Sequence, residues 1–223
     1  MSILIALRHG RSTANTAGVL AGRTPGVDLD DTGVEQARAL GARLAGIPLA
    51  AAISSPLPRC RRTLELALEA AASSTAIEVD DRLAETDYGA WSGRPLAELA
   101  KEPLWQVVQN TPQDAVFPAG EAMLDVRSRV VEAVLEHDSR LPDDAVWVLA
   151  SHGDPLAALV NWAVGADFTH VQRIGLDPAS ASVLQLPGTR GAAPRVLTMN
   201  SHEGSLARWV GGHHSQVVGG SAD

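Results

Sequence analysis

The chain has 223 residues, 45% of them hydrophobic and 20% charged, with a formal net charge of −8, which suits one domain whose core needs no disulfide or metal staple. No apolar run approaches the roughly 18 residues of a membrane span, and the acidic balance disfavours nucleic acid or an anionic membrane as the main partner. The lone Cys60 leaves no disulfide framework and no thiolate cluster for zinc, and is itself expected to be buried and inert.

In chain order, the apolar run Ile3–Leu7 reads as a first buried strand. It is short and lacks a basic leader, so the default expectation is a soluble, cytoplasmic protein. A helix is expected from Asp31 to Ala45 and Gly46, opened by a capping box of Thr32 and Glu35. Strand Ala51–Ser54 follows, then a helix beginning at Ser55 and Pro56, with Ser55 as cap and Arg59 in the first turn. After strand Ala76–Val79, the stretch from Ser92 to Gly120 is broken by Pro95, Pro103, Pro112 and Pro118, as expected of a rim or lid. Helix Glu121 to Glu136, strand Val146–Ala150 and helix Pro155 to Val164 come next. Strands Ser182–Leu186 and Val196–Asn200 close the pattern, joined by an exposed turn over 187–195. Residues 1–210 form one expected domain, and the Gly/Ser/His-rich tail 211–223, with His213 and His214, is expected to be disordered. Strands alternating with helices predict an α/β fold, a three-layer α/β/α sandwich around a mostly parallel sheet.

Two histidines stand in matching places. His9 follows the first strand and His152 the strand Val146–Ala150, each with a glycine next, Gly10 and Gly153. In open α/β sheets ligands bind beyond the carboxyl ends of strands, so the two turns are expected to face one crevice. Glycine there permits positive φ or close backbone approach, and the second turn enters a helix whose first amides favour an anion. With Arg8 and Arg59 nearby, two guanidiniums beside two imidazoles suit the oxygens of a phosphoryl group. No closely spaced set of metal ligands appears, so a metal-free mechanism without cofactor is expected. His137, His170 and His202 lack this context and read as surface or structural residues; Trp91 and Trp105 read as core packing.

The order Arg8-His9-Gly10, Asn15, then Ser54-Ser55-Pro56-Leu57-Pro58-Arg59 with Thr63, then Leu83-Ala84-Glu85-Thr86-Asp87-Tyr88-Gly89, then Ser151-His152-Gly153 resembles the histidine phosphatase, or phosphoglycerate mutase-like, superfamily. The opening RHGRSTANTAGVLAGR is similar to an actinobacterial phosphomutase and phosphatase branch. That resemblance implies that His9 is the nucleophile and forms a phosphohistidine. Arg8, Asn15, Arg59 and His152 would hold the phosphoryl oxygens, with help from the Gly153 amide. Glu85 would be the acid and base, its pKa raised by burial near Asp87. Gly22 and Arg23 fall in a loop that leans over the phosphate in relatives, making Arg23 a candidate substrate contact. Two departures stand out: Asp154 follows His152-Gly153, where it is expected to point away or cap the next helix, and Pro118-Ala119-Gly120-Glu121-Ala122 replaces a more usual Pro-Gly-Gly-Glu-Ser.

The expected function is therefore a phosphomonoesterase acting on a small phosphorylated metabolite. The alternatives are a 2,3-bisphosphoglycerate-dependent mutase, which has a longer and more basic connection before Gly120, and a domain that binds phospho-ligands without turnover. The oligomeric state stays open between monomer and homodimer.

Overall fold

A computed structural model describes residues 1–187 and 192–210. The tail 211–223 and the centre of the 187–195 turn lie outside the described residues. Six strands, β1 (Ile3–Arg8), β2 (Leu49–Ser54), β3 (Ile77–Val79), β4 (Val146–Ser151), β5 (Ala181–Gln185) and β6 (Arg195–Ser201), form one sheet in the order β3-β2-β4-β1-β5-β6. Pairs β3/β2, β2/β4 and β4/β1 are parallel, whereas β5 runs antiparallel to β1 and to β6. The molecule is a three-layer α/β/α sandwich with a mostly parallel sheet.

The helices are α1 (Thr13–Ala17), α2 (Asp31–Leu44), α3 (Pro58–Ala70), α4 (Leu96–Leu99), α5 (Pro103–Asn110), α6 (Met123–Ser139) and α7 (Gly153–Ala163). Central strands buried on both faces must be apolar at every position, and side chains alternate between the faces. Accordingly Ile3, Ile5, Leu7, Val146 and Val148 pack with Leu40 and Leu44 of α2 and Leu64 and Leu68 of α3. On the other face Leu4, Ala6, Trp147 and Leu149 pack with Val126 and Val130 of α6 and Leu156 and Leu159 of α7. Trp91 and Trp105 stack at 6.3 Å within this second cluster, in the packing role expected of them. Within the stretch 92–120, Leu99, Val108, Ala115 and Phe117 are buried and anchor a segment whose other residues are largely exposed or half-buried, and from it Leu96 reaches the site.

Four helix starts differ from expectation, one of them that of α6, which begins at Met123 rather than Glu121. Asp30, not Thr32, caps α2: its carboxylate accepts from Gly33 N at 2.8 Å, and a charged oxygen at a helix N-terminus outcompetes a hydroxyl. Thr32 instead accepts from Arg11 Nη2 at 2.8 Å. Helix α3 begins at Pro58 rather than Pro56, with Leu57 as a cap lacking a side-chain bond. Helix α7 begins at Gly153, two residues before the expected Pro155.

Candidate active site

Strands β1 and β4 are parallel neighbours with Arg8 opposite Ser151 at their ends. The next residue in each is histidine, so His9 and His152 leave the same edge of the sheet. The His9 amide donates to Ser151 O at 3.0 Å, and the two rings meet edge to face, 5.2 Å between centroids. Beyond β2, the first turn of α3 delivers Arg59, which is 1% exposed. Its Nε donates to His9 Nε2 at 3.3 Å and its Nη2 to Gly22 O at 2.9 Å. Arg8 donates through Nη1 to Leu176 O. Arg8 Nε and Arg59 Nη1 are buried without a hydrogen-bond partner, a state buried donors rarely tolerate unless an acceptor belongs there.

Glu85 arrives on the loop after a 3-10 turn, Asp81–Leu83, with Oε1 accepting from Thr86 N at 2.9 Å and Oε2 3.9 Å from His152 Nδ1. Asn15 lies in the first turn of α1, where its Oδ1 accepts from Ser12 N and Ser12 Oγ. The carboxamide oxygen is thus committed to the helix cap, and the amide NH2 is the end able to donate to a ligand. A cavity of about 270 Å³ is lined by Arg8, His9, Asn15, Gly22, Arg59, Glu85 and Gly153. His152 is fully buried and stands behind His9 rather than in the lining.

Burial, then the charges of Arg59 and Arg8, lower the His9 pKa to about 3. The ring is neutral at pH 7. Its Nδ1 lies 2.7 Å from Gly10 O, an atom that only accepts, so Nδ1 carries the proton and Nε2 the lone pair. His152 is likewise held well below the usual imidazole value by burial and by Arg59. Its Nε2 pairs with Ser55 Oγ at 2.7 Å, so Ser55, expected to cap a helix, orients a histidine instead. Glu85 moves the other way: burial and the charge of Asp154, against the opposing pull of Arg59, raise it to about 7. The neighbouring carboxylate is Asp154 rather than the expected Asp87, whose Oδ1 accepts from Gly89 N at 3.0 Å. Asp154 does not cap α7 either. Its carboxylate lines the cavity and accepts from Tyr88 Oη at 2.8 Å.

Arg23 is not brought to the cavity lining. Its Nε donates to Glu85 O at 2.8 Å and its Nη2 to Glu121 Oε1 at 3.0 Å, which ties down the Glu85 loop. Arg129 does the same from α6, donating to Ala84 O at 2.8 Å and Glu121 Oε1 at 2.8 Å. Neither the Arg129 brace nor the pairs Ser55–His152 and Tyr88–Asp154 could be found from sequence, because each joins residues far apart in the chain. His137 is structural, buried and 2.9 Å from Asp80 Oδ2; His170 and His202 are exposed. Cys60 is fully buried with its thiol pKa pushed up to about 12, largely by burial, which leaves no thiolate nucleophile. Among the described residues no group of three or more His, Cys, Asp or Glu could hold a metal ion, and no helix is long and apolar enough to cross a membrane.

Comparison with known proteins places this arrangement. The profile of the histidine phosphatase superfamily, branch 1, matches residues 4–201. Phosphoserine phosphatase 1 of Hydrogenobacter thermophilus is 31% identical over 207 residues, covering 91% of this chain and 95% of that protein. A protein named probable phosphoglycerate mutase GpmB from Erwinia tasmaniensis is 31% identical over 179 residues, 79% of this chain and 81% of its own length. Among solved structures, a mycobacterial glucosyl-3-phosphoglycerate phosphatase superposes with a TM-score of 0.78 at 25% identity, over 89% of this chain and 98% of that one. Bacillus stearothermophilus YhfR shares the fold, with a TM-score of 0.81 at 24% identity over 91% of this chain and 99% of its own. The paired His-Gly turns at the sheet edge thus sit within a family match spanning nearly the whole described chain, and the protein belongs to the histidine phosphatase superfamily.

Proposed function

We propose that the protein is a metal-independent phosphomonoesterase that hydrolyses a small phosphorylated metabolite through a phosphohistidine at His9. The observation that carries this reading is the state of His9: a buried, neutral ring with its proton fixed on Nδ1 by Gly10 O and its Nε2 lone pair beside Arg59 Nε. Phosphoryl transfer needs mainly positioning and charge stabilisation, and the two guanidiniums, each with a buried unpartnered N–H, suit the transferring oxygens. In the first step His9 Nε2 attacks phosphorus, the ester P–O bond breaks and the Glu85 carboxylic acid protonates the departing oxygen. In the second, the Glu85 carboxylate takes a proton from water as that water attacks the phosphohistidine. Inorganic phosphate leaves, His9 regains its neutral form and Glu85 its proton. Arg8, Arg59 and the Asn15 amide hold the phosphoryl oxygens, the first amides of α7 at Gly153 add dipole, and His152 supports His9 from behind.

Rapid quench after mixing with 32P-labelled ester is expected to trap an acid-labile, alkali-stable label that maps to His9 and vanishes in His9→Ala. A wild-type protein that neither takes up label nor releases phosphate from p-nitrophenyl phosphate would overturn the enzyme reading. Phosphate release unchanged by EDTA is expected, and strong inhibition would overturn metal independence. A mutase assay with 2,3-bisphosphoglycerate belongs beside these, and turnover dominated by isomerisation would replace the hydrolase with a mutase.

A further inference from the structure

The cavity divides by chemistry. Every charged side chain that lines it, Arg8, Arg59, Glu85 and Asp154, belongs with His9 at the phosphoryl end. His9 and Arg59 are buried there, at 3% and 1% exposure. Away from that end the lining is mostly apolar, with Val19, Leu20, Leu96, Phe168, Val171 and Ile174, and its one polar side chain beside them, Gln172, is uncharged. This wall opens to solvent, with Leu96 39% exposed and Val19, Leu20 and Ile174 half-buried. Open apolar surface that continues a polar catalytic floor is available to the alcohol half of an ester. No lysine, and no arginine beyond Arg8 and Arg59, lines the cavity among the described residues. Arg23 and Arg129, the cations with nearby loops in their grasp, are committed to Glu121 and to backbone carbonyls. Asp154, held by the Tyr88 hydroxyl, adds negative charge instead. A carboxylate on the alcohol half would meet a mostly apolar wall where Gln172 is the polar neighbour and no cation is there to pair it, a costly burial.

Building on the reading of the floor as a phosphoryl site, we infer that the protein selects phosphomonoesters whose alcohol portion is apolar and uncharged, and discriminates against those bearing a carboxylate. Phosphoserine and phosphoglycerates, which the names of several relatives carry, fall on the disfavoured side. An alkyl or aryl alcohol would leave the cavity along the Leu96 and Ile174 wall after its oxygen takes the proton from Glu85.

Non-hydrolysable phosphonates test this apart from turnover. Calorimetric titration with methyl- through pentylphosphonate is expected to tighten Kd about threefold to fourfold per added methylene, the gain from burying one CH2. Against propylphosphonate, 3-phosphonopropionate is expected to bind at least about tenfold more weakly, the loss expected for an unpaired charge. Leu96→Lys, at an exposed position, should narrow that gap and flatten the methylene gradient. A flat series, or 3-phosphonopropionate binding as tightly as its uncharged counterpart, would overturn the inference, as would absence of all phosphonate binding. The gradient without turnover of any ester would support it and sink the hydrolase reading alone.

Discussion

At the scale of single residues, the chemistry turns on where one proton sits. Glu85 must hold a proton to assist the leaving oxygen and release it to activate water, so a pKa near 7 serves both steps at neutral pH. Burial contributes most to that value and Asp154 comes next. In the proposed mechanism, loss of the Glu85 proton sets the alkaline limb of kcat/KM for alkyl esters. Asp154→Asn removes a negative charge that favours the protonated acid, so this limb is expected to move to lower pH; an unmoved limb would separate Asp154 from Glu85. Glu85→Gln tests the proton itself. Stopped-flow measurements should find phosphorylation by alkyl phosphates slowed by about 10² to 10⁴, the usual worth of general acid catalysis. A burst of p-nitrophenol from the aryl ester should survive, because that leaving group needs little protonation, and then stall for lack of a base. Equal losses in both first steps would exclude the acid role.

At the scale of elements, the loop carrying His9 is set by its contact with α2. Gly10 and Gly33 meet so closely that a Cβ on Gly33 would lie 2.0 Å from Arg11 O, and one on Gly10 2.6 Å from Gly33 O. Neither glycine has positive φ, so close approach alone demands them. Arg11 also donates to the Asp30 cap at 2.6 Å, locking loop to helix start. Gly33→Ala is therefore expected to cost about 1–3 kcal/mol, the usual range for overpacking, read as a lowered denaturant midpoint, and to reduce kcat by displacing His9. An unchanged midpoint with full activity would refute the coupling. Elements of this kind were legible to different depths in the sequence. His9, Arg59 and His152 stood out because they follow strand ends or open a helix, and Glu85 only through the family motif around it. The caps did not, because Asp30 against Thr32 and Pro58 against Pro56 are decided by which donor or ring meets its neighbour in three dimensions. Helices α1 and α4, of 5 and 4 residues, are too short for periodicity to reveal. The contact between Tyr88 and Asp154 depends on how the Glu85 loop packs on α7, which no local pattern encodes.

At the scale of the whole molecule, the sandwich buries its polar site at the edge of an apolar sheet, and this sets how stability responds to acid. Helices α2 and α3 close one face of the sheet and α6 and α7 the other, so His9 sits where both layers and the strand ends converge, 3% exposed. Its folded pKa of about 3 lies below the ordinary imidazole value of 6.5. The unfolded chain therefore binds a proton that the folded protein refuses between these values, and stability present above pH 6.5 is lost as pH falls towards 3. Glu85 has the opposite sign, raised from 4.5 to about 7, so its contribution is full below 4.5 and declines as pH rises through 7. A comparison of wild type with His9→Gln cancels Glu85 and the other shared titrations, provided their environment is kept. The stability difference, wild type minus variant, is expected to fall by about 3 kcal/mol between pH 7 and pH 4, from the linkage between the two His9 values. Urea unfolding at several pH values measures it directly. A difference that stays constant across that range would mean that His9 takes up its proton in the folded protein much as it does in the unfolded chain, and that burial and the two guanidiniums do not hold the ring neutral as the fold implies.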